Sequence, residues 1–171
     1  MEVAILSDTH VPTRADEVPR WVSERVRAAD HVVHAGDFDS AEAYDEVAEL
    51  AADLTAVKGN MDPVALELPE TATVELGGAT FVVTHGTGAV RNYEERVAGI
   101  VAEKRDDVGA PVVGVAGHTH RVFDGEAASA GGESVRLLNP GSATGADPAD
   151  EATMMTVEAV DGEVDVTVRR G

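Results

Sequence analysis

Five short segments of this 171-residue chain carry side chains able to bind divalent metal ions. They are Asp8-Thr9-His10, Gly36-Asp37, Gly59-Asn60, Thr84-His85-Gly86 and Gly117-His118-Thr119-His120. Carboxylates, imidazoles and one amide oxygen suit manganese, iron, nickel, cobalt or zinc better than calcium or magnesium alone. Cysteine is absent, which removes both disulfides and thiolate ligands. Asp37 has two oxygens and can bridge two ions. Two ions about 3.5–4 Å apart activate a bridging water as hydroxide and clamp the oxygens of an in-line displacement at phosphorus. That reaction needs no protein nucleophile.

The elements that must position these residues are legible in the hydropathy pattern. If Glu2 to Ser7 is a strand that stays extended to His10, side chains two apart project to one side, so Asp8 and His10 face one point. His118 and His120 repeat that spacing. Helical spacing from Pro19 to Ala29, a strand at His31–Ala35, a helix capped by Ser40 and a strand at Leu54–Val57 predict parallel pairing with right-handed crossovers. From Thr73 onward strands dominate. Gly77-Gly78 and Asp161-Gly162 signal hairpin turns, with a helix from about Asn92 to Lys104 between them. All five segments follow strands, and in an open α/β sheet ligands gather beyond the carboxyl ends of strands. The neighbouring glycines let the backbone approach a phosphate or a metal-bound water. No repeat or linker divides the chain, so residues 1–171 are expected to form one domain.

Charge is the loudest compositional fact. The chain has 32 acidic against 13 basic residues, a formal charge of −19, and its only lysines are Lys58 and Lys104. Such a composition resembles proteins of salt-in halophiles, in which high salt screens self-repulsion, and it predicts stabilisation by molar KCl. It disfavours binding to a nucleic-acid duplex, whose affinity comes from lysine and arginine. No basic leader and no apolar run of membrane-spanning length stand in the sequence, so a cytoplasmic protein without a membrane partner is expected.

Asp8-x-His10, Gly36-Asp37, Gly59-Asn60, His85 and Gly117-His118-Thr119-His120, in that order, resemble the calcineurin-type metallophosphoesterase superfamily. The short length and Asn139-Pro140-Gly141-Ser142 look like its YfcE-like phosphodiesterase branch. The resemblance implies an α/β fold in which helices flank two packed mixed sheets, a four-layer αββα sandwich. It implies one ion held by Asp8, His10, Asp37 and His120, and a second by Asp37, Asn60, His85 and His118, with Asp37, Asn60 and His85 closest to catalysis. Two divalent ions, manganese first among them, and a small phosphodiester substrate follow from the same likeness. Many phosphomonoesterases of the superfamily have Gly-Asn-His at the third motif, where the histidine helps to protonate the leaving group. Here Met61 stands in that place, and methionine has no proton to give.

Two other functions fit the same sequence: a non-catalytic assembly scaffold, as in the retromer subunit that shares this fold, and a phosphomonoesterase of small phosphates. Exposed sheet edges would allow a homodimer. His34 reads as a hydrogen-bonded interior imidazole, His31 as a strand-end residue that caps or faces solvent, and Asn139 to Ser142 as a tight turn. Trp21, Tyr44, Phe81 and Phe123 read as packing residues. Arg14, Arg91 and Arg121 lie near site loops, as phosphate ligands or as counter-charges.

Overall fold

The computed structural model describes residues 1–109 and 111–171. In chain order the elements are β1 (Glu2–Leu6), α1 (Arg20–Ala28), β2 (His31–His34), α2 (Ala41–Leu50), β3 (Leu54–Ala56), β4 (Thr71–Leu76) and β5 (Ala79–Thr84). There follow α3 (Tyr93–Arg105), β6 (Val112–Val115), β7 (Val122–Ala128), β8 (Ser134–Pro140), β9 (Thr153–Val160) and β10 (Glu163–Arg170).

One sheet has the order β10-β9-β1-β2-β3 and the other β4-β5-β6-β8-β7. In the first, β1, β2 and β3 run parallel, as strand–helix–strand crossovers require, and β9 joins β1 antiparallel. In the second, β5, β6 and β8 are parallel and are flanked by antiparallel β4 and β7. The hairpin signals are met: Gly77 and Gly78 both have positive φ, as do Asp161 and Gly162, the requirement of a two-residue turn that matches strand twist.

Period-two alternation along β1 divides its side chains between two cores. Val3 and Ile5 meet Phe81, Val83, Val115 and Leu138 of the facing sheet. Ala4 and Leu6 point the other way, onto Val22 and Val26 of α1 and Ala43 and Val47 of α2. On the far side of the second sheet, Val82 and Leu137 pack on Tyr93, Val97 and Val101 of α3. Each fully buried aliphatic side chain contributes about 1.5–3 kcal/mol. The outcome is the expected four layers, helices outside two packed sheets. Ser40 caps α2 by accepting from the Ala43 N–H at 3.1 Å and donates to Val11 O at 2.8 Å, which also ties down the loop after β1.

One packing expectation is corrected. His31 does not face solvent: it is buried, with Nε2 2.8 Å from Thr55 Oγ1, because β2 lies between two parallel neighbours. Among the described residues no helix is long and apolar enough to cross a membrane.

Candidate metal centre

The loops that leave the carboxyl ends of β1, β2, β3, β5 and β6 converge at one end of the sandwich, three from one sheet and two from the other. The chain does not reach the centre as an extended strand, however. Regular β1 ends at Leu6, and Asp8 (φ 53°), His10 (φ 49°), Asp37 (φ 62°), His118 (φ 73°) and His120 (φ 58°) are all left-handed. Tight turns bring Asp8 Oδ1 and His10 Nε2 to 3.6 Å. Each left-handed residue costs about 1–2 kcal/mol. Bonds between loops offset the strain: Asp8 N–H to Gly36 O (2.9 Å), His10 N–H to Asp37 O (3.0 Å) and Val11 N–H to Phe38 O (3.2 Å).

Two of the glycines also serve the packing of the loops on one another. A Cβ on Gly59 would strike the Asp37 carboxylate, and one on Gly117 would strike Ser7 and Asp8. At these two positions the missing Cβ makes room for neighbouring loops.

All seven sequence-selected residues come together. Asp8 Oδ1 lies 3.6, 3.9 and 3.3 Å from Nε2 of His10, His85 and His120. Asp37 Oδ2 lies 3.6 Å from His10 Nε2 and 3.2 Å from His85 Nε2, so this carboxylate faces both halves of the cluster. Asn60 Oδ1 sits 3.1 Å from His85 Nε2 and 3.2 Å from His118 Nδ1. Asp8, His10 and His120 form one buried group able to hold a cation, and Asp8, Asp37 and His85 a second. Asp8 Oδ1 has no hydrogen-bond donor among the described residues, although it is buried among three imidazoles. A buried carboxylate oxygen left without a partner is costly. The spacing of its neighbours fits donors that share a cation at about 2.0–2.2 Å each, so the residues present fit a divalent metal pair.

Which ring nitrogen faces inward follows from what the other one touches. His85 Nδ1 donates to Ala35 O at 2.7 Å and His120 Nδ1 to Ala146 O at 2.8 Å, which leaves each Nε2 with its lone pair toward the carboxylates. His10 Nδ1 is held 2.9 Å from both oxygens of Asp39, with the same effect. His118 is turned the other way: Nε2 donates to Gly88 O at 3.0 Å, so Nδ1 points at Asn60.

The carbonyl that orients His118 depends on Arg96, whose guanidinium donates to Gly86 O (3.2 Å), Thr87 O (3.0 Å) and Ala89 O (2.9 Å). Arg96→Ala is expected to weaken metal binding on the His118 side by roughly 10–100-fold, the scale for losing a ligand's orienting partner. Calorimetric titration should then show one unaltered and one weakened binding step; two unaltered steps would contradict this.

Electrostatics match the geometry. Burial works against charge on Asp8, but His10 and His120 hold its carboxyl well below the usual range. Burial likewise opposes charge on Asp37, and His85 outweighs it, so its carboxyl is lowered too. For His10 and His85, burial is overcome by Asp8 with Asp39 and by Asp37 respectively, and both imidazoles are raised. The cluster therefore recruits positive charge, as protons when no cation is bound, and metal uptake must release them.

His34 is interior, as the sequence implied. Its Nδ1 accepts from the Gly36 N–H at 3.1 Å, its Nε2 lies 2.7 Å from Thr9 Oγ1, and its ring stacks on Phe38. Burial pushes it down to about 3 from an ordinary 6.5. Between those values the unfolded chain binds a proton that the folded chain refuses, so stability rises with pH through this window and is lost on acidification. The wild-type unfolding free energy should fall by as much as ~4 kcal/mol from pH 6.5 toward pH 3 through this group. Denaturant titrations of the wild type and His34→Gln should show that component missing from the variant.

Several supporting residues escaped the sequence reading. Asp39 orients His10, and Asp62 accepts four backbone N–H groups of the site loops. Asn139 is more than a turn residue: its buried Nδ2 lies 3.1 Å from Gly117 O, from Thr119 Oγ1 and from the Tyr93 hydroxyl, which itself donates to Gly117 O at 2.6 Å. Ser142 Oγ donates to Asp8 O at 2.7 Å. Asn139 and Ser142 stood in the motif that carried the resemblance, without a role; the only signal for Asp39 and Asp62 was their proximity in sequence to ligand motifs. The arginines are not drawn into the centre. Arg14 bonds to Asp147 O, and Arg91 and Arg121 line a separate groove of about 620 Å³ whose walls include none of the seven residues.

Residues 1–162 match the calcineurin-like phosphoesterase superfamily domain. A probable metallophosphoesterase of Methanothermobacter thermautotrophicus is 34% identical over 95% of this chain and 88% of its own. One from Methanocaldococcus jannaschii is 32% identical over 84% of this chain and 69% of its own. Among solved structures, wild-type Vps29 of Entamoeba histolytica, determined in complex with zinc, superposes with a TM-score of 0.73 at 27% identity, covering 100% of this chain and 98% of that one. With the family model spanning residues 1–162 and a relative 34% identical over 95% of its length, the chain belongs to the calcineurin-like phosphoesterase superfamily.

Proposed function

We propose that the protein is a dinuclear metal-dependent phosphodiesterase of the YfcE-like branch, with manganese as its activator and a small diester as substrate. The observation that carries the reading is the buried Asp8 Oδ1, without a hydrogen-bond partner among the described residues and surrounded by three inward-facing imidazole nitrogens, with Asp37 facing both halves of the cluster. The zinc complex of the related Vps29 supports divalent-metal binding on this fold. Asp8, His10, Asp37 and His120 would hold one ion, and Asp37, Asn60, His85 and His118 the other. A bound pair supplies a water-derived nucleophile at neutral pH and positive charge for the oxygens at phosphorus.

The chain's own residues do the positioning. Asp37 fixes the spacing of the two halves, while Asp39, Ala35 O and Ala146 O hold three imidazoles in one tautomer. Asn60 contributes an uncharged oxygen, so its half of the cluster carries less negative charge. Met61 decides the class of ester. Its N–H donates to Asp37 Oδ1 at 2.8 Å, and the residue is exposed. A thioether cannot protonate a departing alkoxide, so a good leaving group is favoured.

Bis(p-nitrophenyl) phosphate should be hydrolysed with manganese and not after chelation, and in preference to p-nitrophenyl phosphate. Absence of turnover by folded, metal-loaded protein in molar KCl would overturn the assignment. The scaffold reading draws on the likeness to Vps29. Seven retained metal-competent side chains weigh against it, and purified protein that holds no metal would restore it. The halophile reading belongs to this proposal and rests on composition, and the cytoplasmic reading belongs to it and rests on the lack of a membrane-length apolar run in the sequence.

A further inference from the structure

Beside the metal centre opens a cleft of about 390 Å³ whose walls include Asn60 and His85 together with Lys58, Glu70, Thr71 and Thr84. Lys58 is half-buried there, two residues beyond β3, held through its own N–H to Pro69 O at 2.7 Å. Its ammonium makes no ion pair and no side-chain hydrogen bond with any described residue, whereas Arg20, Arg105, Arg136 and Arg170 each pair with a carboxylate. With 32 acidic residues in the chain, a half-buried lysine without an acidic partner among the described residues stands out. Withdrawing an ammonium from water is unfavourable unless an anion meets it. The cleft holds one carboxylate residue, Glu70, and three threonine hydroxyls, those of Thr71, Thr84 and Thr87.

We infer that Lys58 forms a subsite for a second anionic group, a terminal phosphate carried on one ester arm of the substrate. The inference deepens the phosphodiesterase reading and rests on it. A diester spanning the centre places its reacting phosphate against Asn60 and His85, and an arm lying along the cleft meets Lys58, with the Thr71 and Thr87 hydroxyls beside it, while the Thr84 hydroxyl is taken up by Glu70 O. A compact ammonium suits the tetrahedral, rotationally indifferent charge of a phosphate monoester. The preferred substrates are therefore diesters that bear a further phosphate, such as nucleotide esters phosphorylated at a second position.

The test uses two substrates with one leaving group: the p-nitrophenyl ester of thymidine 5′-phosphate and the same ester carrying a 3′-phosphate. The readout is the ratio of their kcat/KM values within each protein, measured with manganese at one fixed KCl concentration. Wild type should favour the 3′-phosphorylated ester roughly tenfold, mainly through KM, the scale of one charge-assisted hydrogen bond. Lys58→Met should bring the ratio to one or below, and Lys58→Arg should keep most of the preference. An equal ratio in wild type and Lys58→Met, with both esters hydrolysed, overturns the subsite and leaves the phosphodiesterase reading standing. If neither ester nor bis(p-nitrophenyl) phosphate is hydrolysed, the phosphodiesterase reading falls and the subsite falls with it.

Discussion

Asp37→Ala protein should bind neither ion with the wild-type affinity, and its hydrolysis of bis(p-nitrophenyl) phosphate should fall by roughly 10³-fold or more. The size of the effect comes from position. Asp37 Oδ2 reaches toward both His10 and His85, at 3.6 and 3.2 Å, so one substitution removes an oxygen from each half of the cluster. The remaining carboxylate, Asp8, cannot replace it, because its Oδ2 already accepts the His118 N–H at 3.0 Å. Metal content by mass spectrometry, with kcat/KM and circular dichroism on the same sample, separates loss of ions from loss of fold. Asp37→Asn keeps the shape and discards the charge, so it should retain some binding with much reduced turnover. Full metal content in Asp37→Ala would refute the bridging role.

Asp62→Ala should give the largest loss of stability. Its carboxylate accepts from the N–H groups of Asp37 (2.9 Å), Phe38 (2.7 Å), Asp39 (3.1 Å) and Gly59 (2.8 Å). The loop after β2 is thus fastened to the loop after β3 by one buried side chain of the latter. Alanine would strand four donors, three of them in buried surroundings, at a cost of about 1–3 kcal/mol for each that water cannot reach. A destabilisation of about 3–5 kcal/mol is expected, or a fall in Tm of roughly 10 °C in a chain of this size. Asp62→Asn retains one carbonyl oxygen and should lose less. Calorimetry of the metal-free proteins reads this directly, and an Asp62→Ala chain as stable as wild type would show that the loops hold their shape without it. Both predictions separate the groups that meet the ions from the groups that hold the loops in register.

The strand and helix order and the metal-competent residues at strand ends were legible in the sequence through local signals, whereas the four-layer fold and the two ligand sets followed from the family resemblance. Hydrophobic period, helix caps and Gly-Gly or Asp-Gly turns are local signals, and they placed Asp37, Asn60, His85 and His118 after strands whose ends share one edge. The absence of cysteine and the excess of acid likewise bounded the chemistry without any coordinates. Tertiary structure alone decided how the chain turns at the centre. Asp8 and His10 are left-handed because the loops after β1 and β2 bond to each other, a contact between residues 28 apart in sequence that no local pattern encodes. It also decided that His118 presents Nδ1 while its neighbours present Nε2, since the choice lies with Gly88 O, Ala35 O, Ala146 O and Asp39. His31 was misread for a related reason: its burial comes from the strands on both sides of β2 and not from its own neighbours in the chain. Residue type and spacing determine which groups are available, whereas their mutual orientation is set by long-range hydrogen bonds that form only when the two sheets pack.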